Sequence, residues 1–206
     1  MQKQVEAQAY GFKRYVQIDR WASYYYQLSE ILARQPASVL EVGVGDGVVG
    51  EYVRRSNIAY TSVDIAEDVK PDIIASVTAI PVPEASYDLA CAFEVLEHLP
   101  FTEFDRALAE LARVSCGTVI ISLPHFGPPL RFSLKIPFLP ELRIAWKIPY
   151  PRKHVFNGQH YWEVGKRGYP LSRIRTSLQK YFRIEKEFVP FENQYHHFFV
   201  LEKRPL

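Results

Sequence analysis

Cysteine and methionine are almost missing from this chain, which holds 2 Cys and 1 Met in 206 residues. Two cysteines cannot build a disulfide framework. Cys91 lies in an apolar run and Cys116 follows a helical pattern, so both are expected as reduced thiols, the usual state in the cytoplasm. A charge excess is missing too. The 25 basic and 23 acidic side chains leave a net charge of +2, which gives no overall basis for nucleic-acid binding. No apolar run approaches the ~18 residues of a membrane span. Met1 to Glu6 contain no apolar stretch and do not read as a secretory signal. There is no internal repeat or low-complexity segment. No His/Cys cluster has metal-ligand spacing, and His196 and His197 are neighbours on a strand pattern, facing opposite ways, so no metal is expected.

What is present has the balance of an ordinary globular protein, 48% apolar and 23% charged, in a length that suits one domain with a sizeable core. The most informative stretch is Val39-Leu40-Glu41-Val42-Gly43-Val44-Gly45-Asp46-Gly47. An apolar run ends in glycines at alternate positions, the pattern of a buried strand entering a tight turn and then a helix. Without side chains such a turn lets a ligand reach the backbone, and the first N–H groups of the helix can hold a polar or anionic group.

Around this stretch, periodicity and capping predict helices over 19–34 (Asp19 as N-cap), 46–55, 102–114 (opened by Thr102) and 170–180 (capped by Ser172). Strands are predicted over 38–42, 59–63 closing at Asp64, 72–75, 87–93 and 117–123. Continuous apolar strands alternating with helices imply a parallel sheet covered on both faces. Residues 182–189 and 195–203 read as an antiparallel hairpin.

Two cofactor templates fit the glycines. Gly45, Gly47 and Gly50 satisfy the dinucleotide fingerprint G-x-G-x-x-G, and Asp64 lies 19 residues after Gly45, near the spacing of a ribose-binding acid. That template starts late, because the strand pattern already ends at Gly43. The other is an S-adenosylmethionine site. The run from Glu41 to Gly47 resembles the acidic-x-G-x-G-x-G motif of the class I methyltransferases, and Asp64 closes the second strand, where that family has its ribose-binding acid. Ile80-Pro81-Val82-Pro83-Glu84-Ala85-Ser86-Tyr87-Asp88-Leu89 is similar to the family's L-P-F-P-D-x-S-F-D-L run. Glu94-Val95-Leu96-Glu97-His98-Leu99 is similar to its E-V-L-E-H-L segment, and Gly117 to Pro124 to its fifth strand, G-G-T-L-I-I-S-x-P.

The chain thus resembles a class I S-adenosylmethionine-dependent methyltransferase. The resemblance implies a Rossmann-like, doubly wound α/β fold, with a seven-stranded, mostly parallel sheet and an antiparallel C-terminal hairpin. It implies S-adenosylmethionine as cofactor, with contacts from Glu41, Gly43, Gly45, Gly47, Asp64, Ile65, Val77, Thr78, Phe93 and Glu94. Glu41 falls near the cofactor's amino group, although a carboxylate there can equally accept loop N–H bonds. The chain departs from the family after the third strand, where Ser76-Val77-Thr78 replaces the acid beside the adenine amino group.

Methyl transfer is an in-line displacement at a sulfonium carbon, activated by the cofactor itself. The protein supplies orientation, and a base only if the acceptor must lose a proton. Candidate bases are His98 and His125, at the expected ends of the fourth and fifth strands; His98 also suits a structural role in the turn before Pro100. Glu94 is placed in the cofactor pocket, and Glu97 is expected to bond neighbouring backbone. Candidate acceptor contacts are Tyr24, Tyr25, Arg131 and His160, the two tyrosines being equally suited to core packing.

The alternating rhythm breaks over 124–167, an irregular, proline-rich insertion expected to cover the substrate within a single domain spanning 1–206. Residues 126–160 carry Arg131, Lys135, Arg143, Lys147, Arg152 and Lys153 against one acid, Glu141, interleaved with large apolar side chains. Three readings stay open: a cover whose arginines clamp an anionic small molecule, a contact with a membrane surface and a lipid-like acceptor, or a homodimer surface. The function expected is S-adenosylmethionine-dependent methylation of a small-molecule or lipid-like acceptor in the cytoplasm, without nucleic acid. The alternatives are an NAD-type oxidoreductase and a non-catalytic S-adenosylmethionine-binding module of the same fold.

Overall fold

The computed structural model describes residues 7–11 and 15–204; the expectation about Met1 to Glu6 lies outside them. Strands β1 (Ser38–Val42), β2 (Ala59–Asp64), β3 (Ile73–Ile74), β4 (Tyr87–Phe93), β5 (Ser115–Pro124), β8 (Phe182–Phe188) and β9 (His196–Lys203) form a seven-stranded sheet in the order β3-β2-β1-β4-β5-β9-β8. The β1 to β5 pairings are parallel, and β9 runs antiparallel between β5 and β8. Strand order reverses between β1 and β4, and the carboxyl ends of the strands at such a switch point open a crevice for ligands.

Both faces of the sheet are covered, as continuous apolar strands require. On one face Val39, Leu89, Cys91, Ile120 and Val200 pack against Tyr24 and Ile31 of α1 (Ile18–Leu32) and Val49 and Val53 of α2 (Val48–Arg55). On the other, Leu40, Val42, Ala90, Ala92, Val119 and Ile121 meet α3 (Phe104–Val114) and α4 (Leu171–Leu178). The period of two along each strand assigns each side chain to its face. Cys91 is buried, Cys116 is exposed, and both are free. Among the described residues no helix is long and apolar enough to cross a membrane.

Helix starts differ from expectation. Gln17 is the N-cap of α1, and Asp19 sits in its first turn, where a carboxylate suits the helix dipole. Thr102 lies in a short 3-10 turn, Phe101–Glu103, that leads into α3. Pro170 precedes α4 and Ser172 is inside it, because the fixed φ of proline already prepares the chain for a helix.

The larger correction concerns 124–167, which is not irregular throughout. Strands β6 (Pro129–Leu134) and β7 (Leu142–Lys147) form a separate antiparallel hairpin, an arm off the main sheet. Its register sets Leu130 opposite Trp146, Phe132 opposite Ile144 and Leu134 opposite Leu142. One face is therefore wholly apolar, and Arg131, Ser133, Arg143 and Lys147 lie on the other. After the arm the chain returns to the body, burying Trp162 and Val164 completely. The Tyr161 N–H donates to the Glu97 carbonyl (2.9 Å), the Val164 N–H to the Pro124 carbonyl (2.9 Å), and the Trp162 indole N–H to the Leu99 carbonyl (3.0 Å).

Candidate functional site

A cavity of about 280 Å³ opens at the carboxyl ends of β1, β2 and β4. Of the residues expected at a cofactor, Gly43, Gly45, Asp64, Ile65, Val77, Phe93 and Glu94 line it. Gly43 follows β1 with φ +85°, and a Cβ there would stand 2.3 Å from Val95 Cγ2. The turn thus needs glycine on steric and conformational grounds. Asp64, at the end of β2, is held by two loop donors: the Val44 N–H to Oδ2 (2.9 Å) and the Ala66 N–H to Oδ1 (2.8 Å). These bonds fix the carboxylate at the cavity wall with lone pairs to spare.

Other expected cofactor contacts lie elsewhere. Glu41 is 3% exposed and accepts a short hydrogen bond from the Tyr60 hydroxyl, so it points away from the cavity. Burial, only partly offset by that bond, pushes its carboxyl up to about 8. Gly50 gives way to the same Tyr60 ring, whose Cζ would lie 2.6 Å from an added Cβ; it is a packing position between α2 and β2. Gly47 lines an adjoining recess with Tyr10, Gly45, Asp46 and Val69. Thr78 does not reach the cavity. Its hydroxyl pairs with that of Ser76 (2.9 Å), and Ser76 takes the place at the wall.

The far end of the cavity gathers Glu94, Glu97, His98, Gln159, His160, Tyr195 and His196. Glu94 holds φ +55°, a strained conformation for a non-glycine residue, at the turn that leaves β4. Its Oε2 lies 3.7 Å from His196 Nε2. Burial pushes the Glu94 carboxyl up to about 8. Burial and then the Glu94 charge raise Glu97 well above the usual carboxylate range. Burial also drives His196 down to about 3, and burial with the neighbouring His160 drives His98 down to about 4, so these two imidazoles are neutral at pH 7.

His98 and His160 line the cavity; His125 does not. His125 is 9% exposed, with Nδ1 2.8 Å from His197 Nδ1, while His197 Nε2 lies 2.8 Å from Glu187 Oε1 and Arg175 grips Glu187 with two bonds of 2.8 Å. Strand β5 stays paired through Pro124, and the His125 N–H still donates to the Tyr195 carbonyl (2.7 Å), which sends its ring into this buried chain and away from the cavity. The proposed acceptor contacts Tyr24, Tyr25 and Arg131 also miss the cavity. Tyr24 donates to Asp46 Oδ2 (2.5 Å), Tyr25 is 67% exposed, and Arg131 lies over the Phe191 ring on the arm.

Sequence reasoning missed the cover contributed by Tyr10, Tyr15 and Arg20, all at the cavity wall. The Tyr10 and Tyr15 rings meet edge to face at 4.8 Å, and the Arg20 guanidinium stacks on Tyr15 at 4.0 Å while donating to its hydroxyl (2.9 Å). The clustering of aromatics ahead of the first strand was the available signal. Tyr195 carried none, since only the β5–β9 pairing delivers it.

A family model described as a methyltransferase domain matches residues 12–161. The chain is 26% identical over 140 residues to a malonyl-[acyl-carrier protein] O-methyltransferase of Pseudescherichia vulneris, a match over 62% of this chain and 51% of that protein. It therefore spans about half the length of that curated relative. Among solved structures, the 1,6-didemethyltoxoflavin-N1-methyltransferase of Burkholderia thailandensis superposes with a TM-score of 0.63 at 16% identity, covering 96% of this chain and 85% of the other. The magnesium protoporphyrin IX methyltransferase of Synechocystis, with S-adenosylmethionine bound, gives a TM-score of 0.60 at 13% identity, covering 91% and 81%. At these identities the structures speak for the fold.

Proposed function

The chain belongs to the methyltransferase-domain family, and from that premise we propose that it moves the methyl group of S-adenosylmethionine to a small, lipid-like acceptor. The observation that carries this reading is one continuous cavity, with the Gly43 turn and Asp64 at one end and buried carboxylates and imidazoles at the other. The residues fit the cofactor. The bare Gly43 and Gly45 backbone at the wall admits its chain, Asp64 accepts its two ribose hydroxyls, and Ile65, Val77 and Phe93 offer apolar walls to its base. When bound, it supplies an activated sulfonium methyl.

Tyr10, Tyr15 and Arg20 exclude water above that methyl, and Glu94, Tyr195 and His196 orient the acceptor for in-line attack. The chain is one methyltransferase unit, with the segment 124–167 as its acceptor cover, and its two free cysteines suit a reducing, cytoplasmic setting. Calorimetry with S-adenosylhomocysteine tests the reading. Micromolar binding is expected, and no heat at about 1 mM ligand overturns it.

The relatives bear the names of unlike acceptors, so the acceptor class is read from this chain's own arm. Leu130, Phe132, Leu134, Leu142, Ile144 and Trp146 are each 43–50% exposed on one face, and Phe138 at the tip is fully exposed. Arg131 and Lys147 lie on the opposite face of the hairpin, and Lys135 lies in the loop between its strands, where it donates to the Leu139 carbonyl (2.7 Å). An exposed apolar face on an arm whose other face carries cations matches an anionic lipid surface. Arg143 is already engaged by Glu141 and Glu192 (2.8 and 2.6 Å), and Arg131 lies off the cavity, which removes support for an arginine clamp. Flotation with phosphatidylglycerol vesicles tests the contact: co-migration is expected, with phosphatidylcholine vesicles much weaker. A stable dimer by light scattering with no vesicle binding overturns it in favour of a second copy of the chain.

A further inference from the structure

Glu97 is left in an unusual state at the acceptor end of the cavity. It is 0% exposed, and among the described residues neither carboxylate oxygen has a hydrogen-bond partner. Burying a carboxylate without donors is costly, so such a group calls for a ligand. Two imidazoles face it. His98 Nε2 stands 4.0 Å and His160 Nε2 3.9 Å from the same atom, Glu97 Oε1. These spacings are too long for hydrogen bonds. They suit atoms that share one ion, because ligands at about 2.0–2.2 Å from a cation lie roughly 3–4 Å from one another. The ligand atoms of the three residues all lie within 4.8 Å of each other.

The outer partners have the same logic. His98 Nδ1 is 3.1 Å from the Gln159 carbonyl oxygen, and His160 Nδ1 is 3.2 Å from Glu163 Oε1. Glu163 Oε1 also accepts from the Tyr195 hydroxyl (3.3 Å). The His160 ring, its Nδ1 held by a carboxylate, turns its Nε2 toward Glu97, the arrangement that orients metal-binding histidines. His160 is delivered by the Tyr161 N–H bond to the Glu97 carbonyl (2.9 Å), which ties the returning chain to the turn after β4.

We propose that Glu97, His98 and His160 bind one divalent transition cation, and that its remaining positions hold the oxygen of the methyl acceptor. Two imidazoles and one carboxylate suit Mn²⁺, Fe²⁺, Co²⁺ or Zn²⁺ and leave coordination sites open. The inference rests on the methyl-transfer reading and narrows it to O-methylation of a hydroxyl compound. The cation acidifies the bound hydroxyl. Its O–H bond breaks and the proton leaves to solvent water. The oxygen lone pair forms the new O–CH₃ bond while the C–S bond of the sulfonium breaks, leaving its electron pair on sulfur as a neutral thioether.

The test uses the full chain, stripped with a chelator and titrated with MnCl₂ by calorimetry and electron paramagnetic resonance, with S-adenosylhomocysteine titrated separately. Saturable Mn²⁺ binding is expected, weakened about tenfold or more in His160→Ala and in Glu97→Gln, while S-adenosylhomocysteine affinity in His160→Ala stays unchanged. Co²⁺ loaded into the same protein is expected to show imidazole-nitrogen coupling that His160→Ala reduces. No saturation by Mn²⁺, Co²⁺ or Zn²⁺ at about 1 mM, or binding that both variants leave intact, overturns the proposal. If S-adenosylhomocysteine binds and the cations do not, only this inference fails; if S-adenosylhomocysteine itself does not bind, the methyl-transfer reading fails.

Discussion

The two ends of the cavity are built on opposite principles. At the glycine end the polar groups satisfy one another: both Asp64 oxygens accept loop N–H bonds, and the turns that follow β1, β2 and β3 supply much of the wall. At the acceptor end Glu94 Oε1, both Glu97 oxygens and His196 Nδ1 are buried without partners among the described residues, and the wall comes from the turns after β4 and before β9 and from the returning chain near His160. A satisfied end is rigid before any ligand arrives. An unsatisfied end stores a cost that a ligand can relieve, which makes it the end where specificity is decided.

The sharpest way to break this comparison is to fill the preformed end. Gly43→Val is expected to remove S-adenosylhomocysteine binding below detection at about 1 mM, and to cost about 2–3 kcal/mol of stability through the clash and the positive φ. Calorimetry and thermal unfolding read the two effects; normal binding would mean that the glycine end is not preformed. Next in size, Asp64→Ala is expected to weaken S-adenosylhomocysteine by roughly 100-fold, the loss of a charge-assisted anchor. An unchanged dissociation constant would remove Asp64 from the site.

A smaller effect sharpens the electrostatic side. Glu41, pushed up to about 8 by burial, keeps its proton in the folded state over a range in which the unfolded chain has lost it. Its contribution to stability therefore declines as pH rises from about 4.5 to about 8. Glu187 has the opposite sign. Its hydrogen bonds to His197 and Arg175 outweigh burial and hold it down to about 2, so its contribution is present above the unfolded carboxylate range and lost as pH falls toward 2. Unfolding followed against pH is expected to show Glu41→Gln gaining about 1 kcal/mol on wild type at pH 8, and Glu187→Gln losing about 1 kcal/mol at pH 7. Equal pH profiles for the two variants would contradict the assignment. Smallest for the fold is Phe138→Asp on the arm, which is expected to change stability by no more than about 0.5 kcal/mol. The same change is expected to abolish flotation with phosphatidylglycerol vesicles.

Much of the parallel sheet was legible because its signals are local. Val39 to Gly47 encodes strand, turn and helix in consecutive residues, and the alternation along 87–93 assigns each side chain to one face of the sheet. The arm was legible in principle. Leu130, Phe132 and Leu134 alternate with polar neighbours, but the surrounding prolines masked the period of two. Glu41 and Thr78 illustrate a different failure. Both occupy motif positions, yet Tyr60 claims the first and Ser76 the second. No one-dimensional pattern carries those competing partners. His125 lies off the cavity for a like reason, since only the β5–β9 register shows that His197 awaits it.

The sequence by itself determined the strand–turn–helix at Gly43, the acid closing β2, the covered parallel sheet and the family resemblance. All of these follow from the order of nearby residues. Tertiary structure alone decided that His160 returns to Glu97 and His98 across more than sixty residues. It also decided that His196 faces the cavity while His197 turns to His125, and that the arm keeps its apolar face outside the core. The physical reason is that hydrogen bonds and burial act between groups close in space. The spacing rules along the chain do not constrain what two distant segments assemble at one end of a cavity.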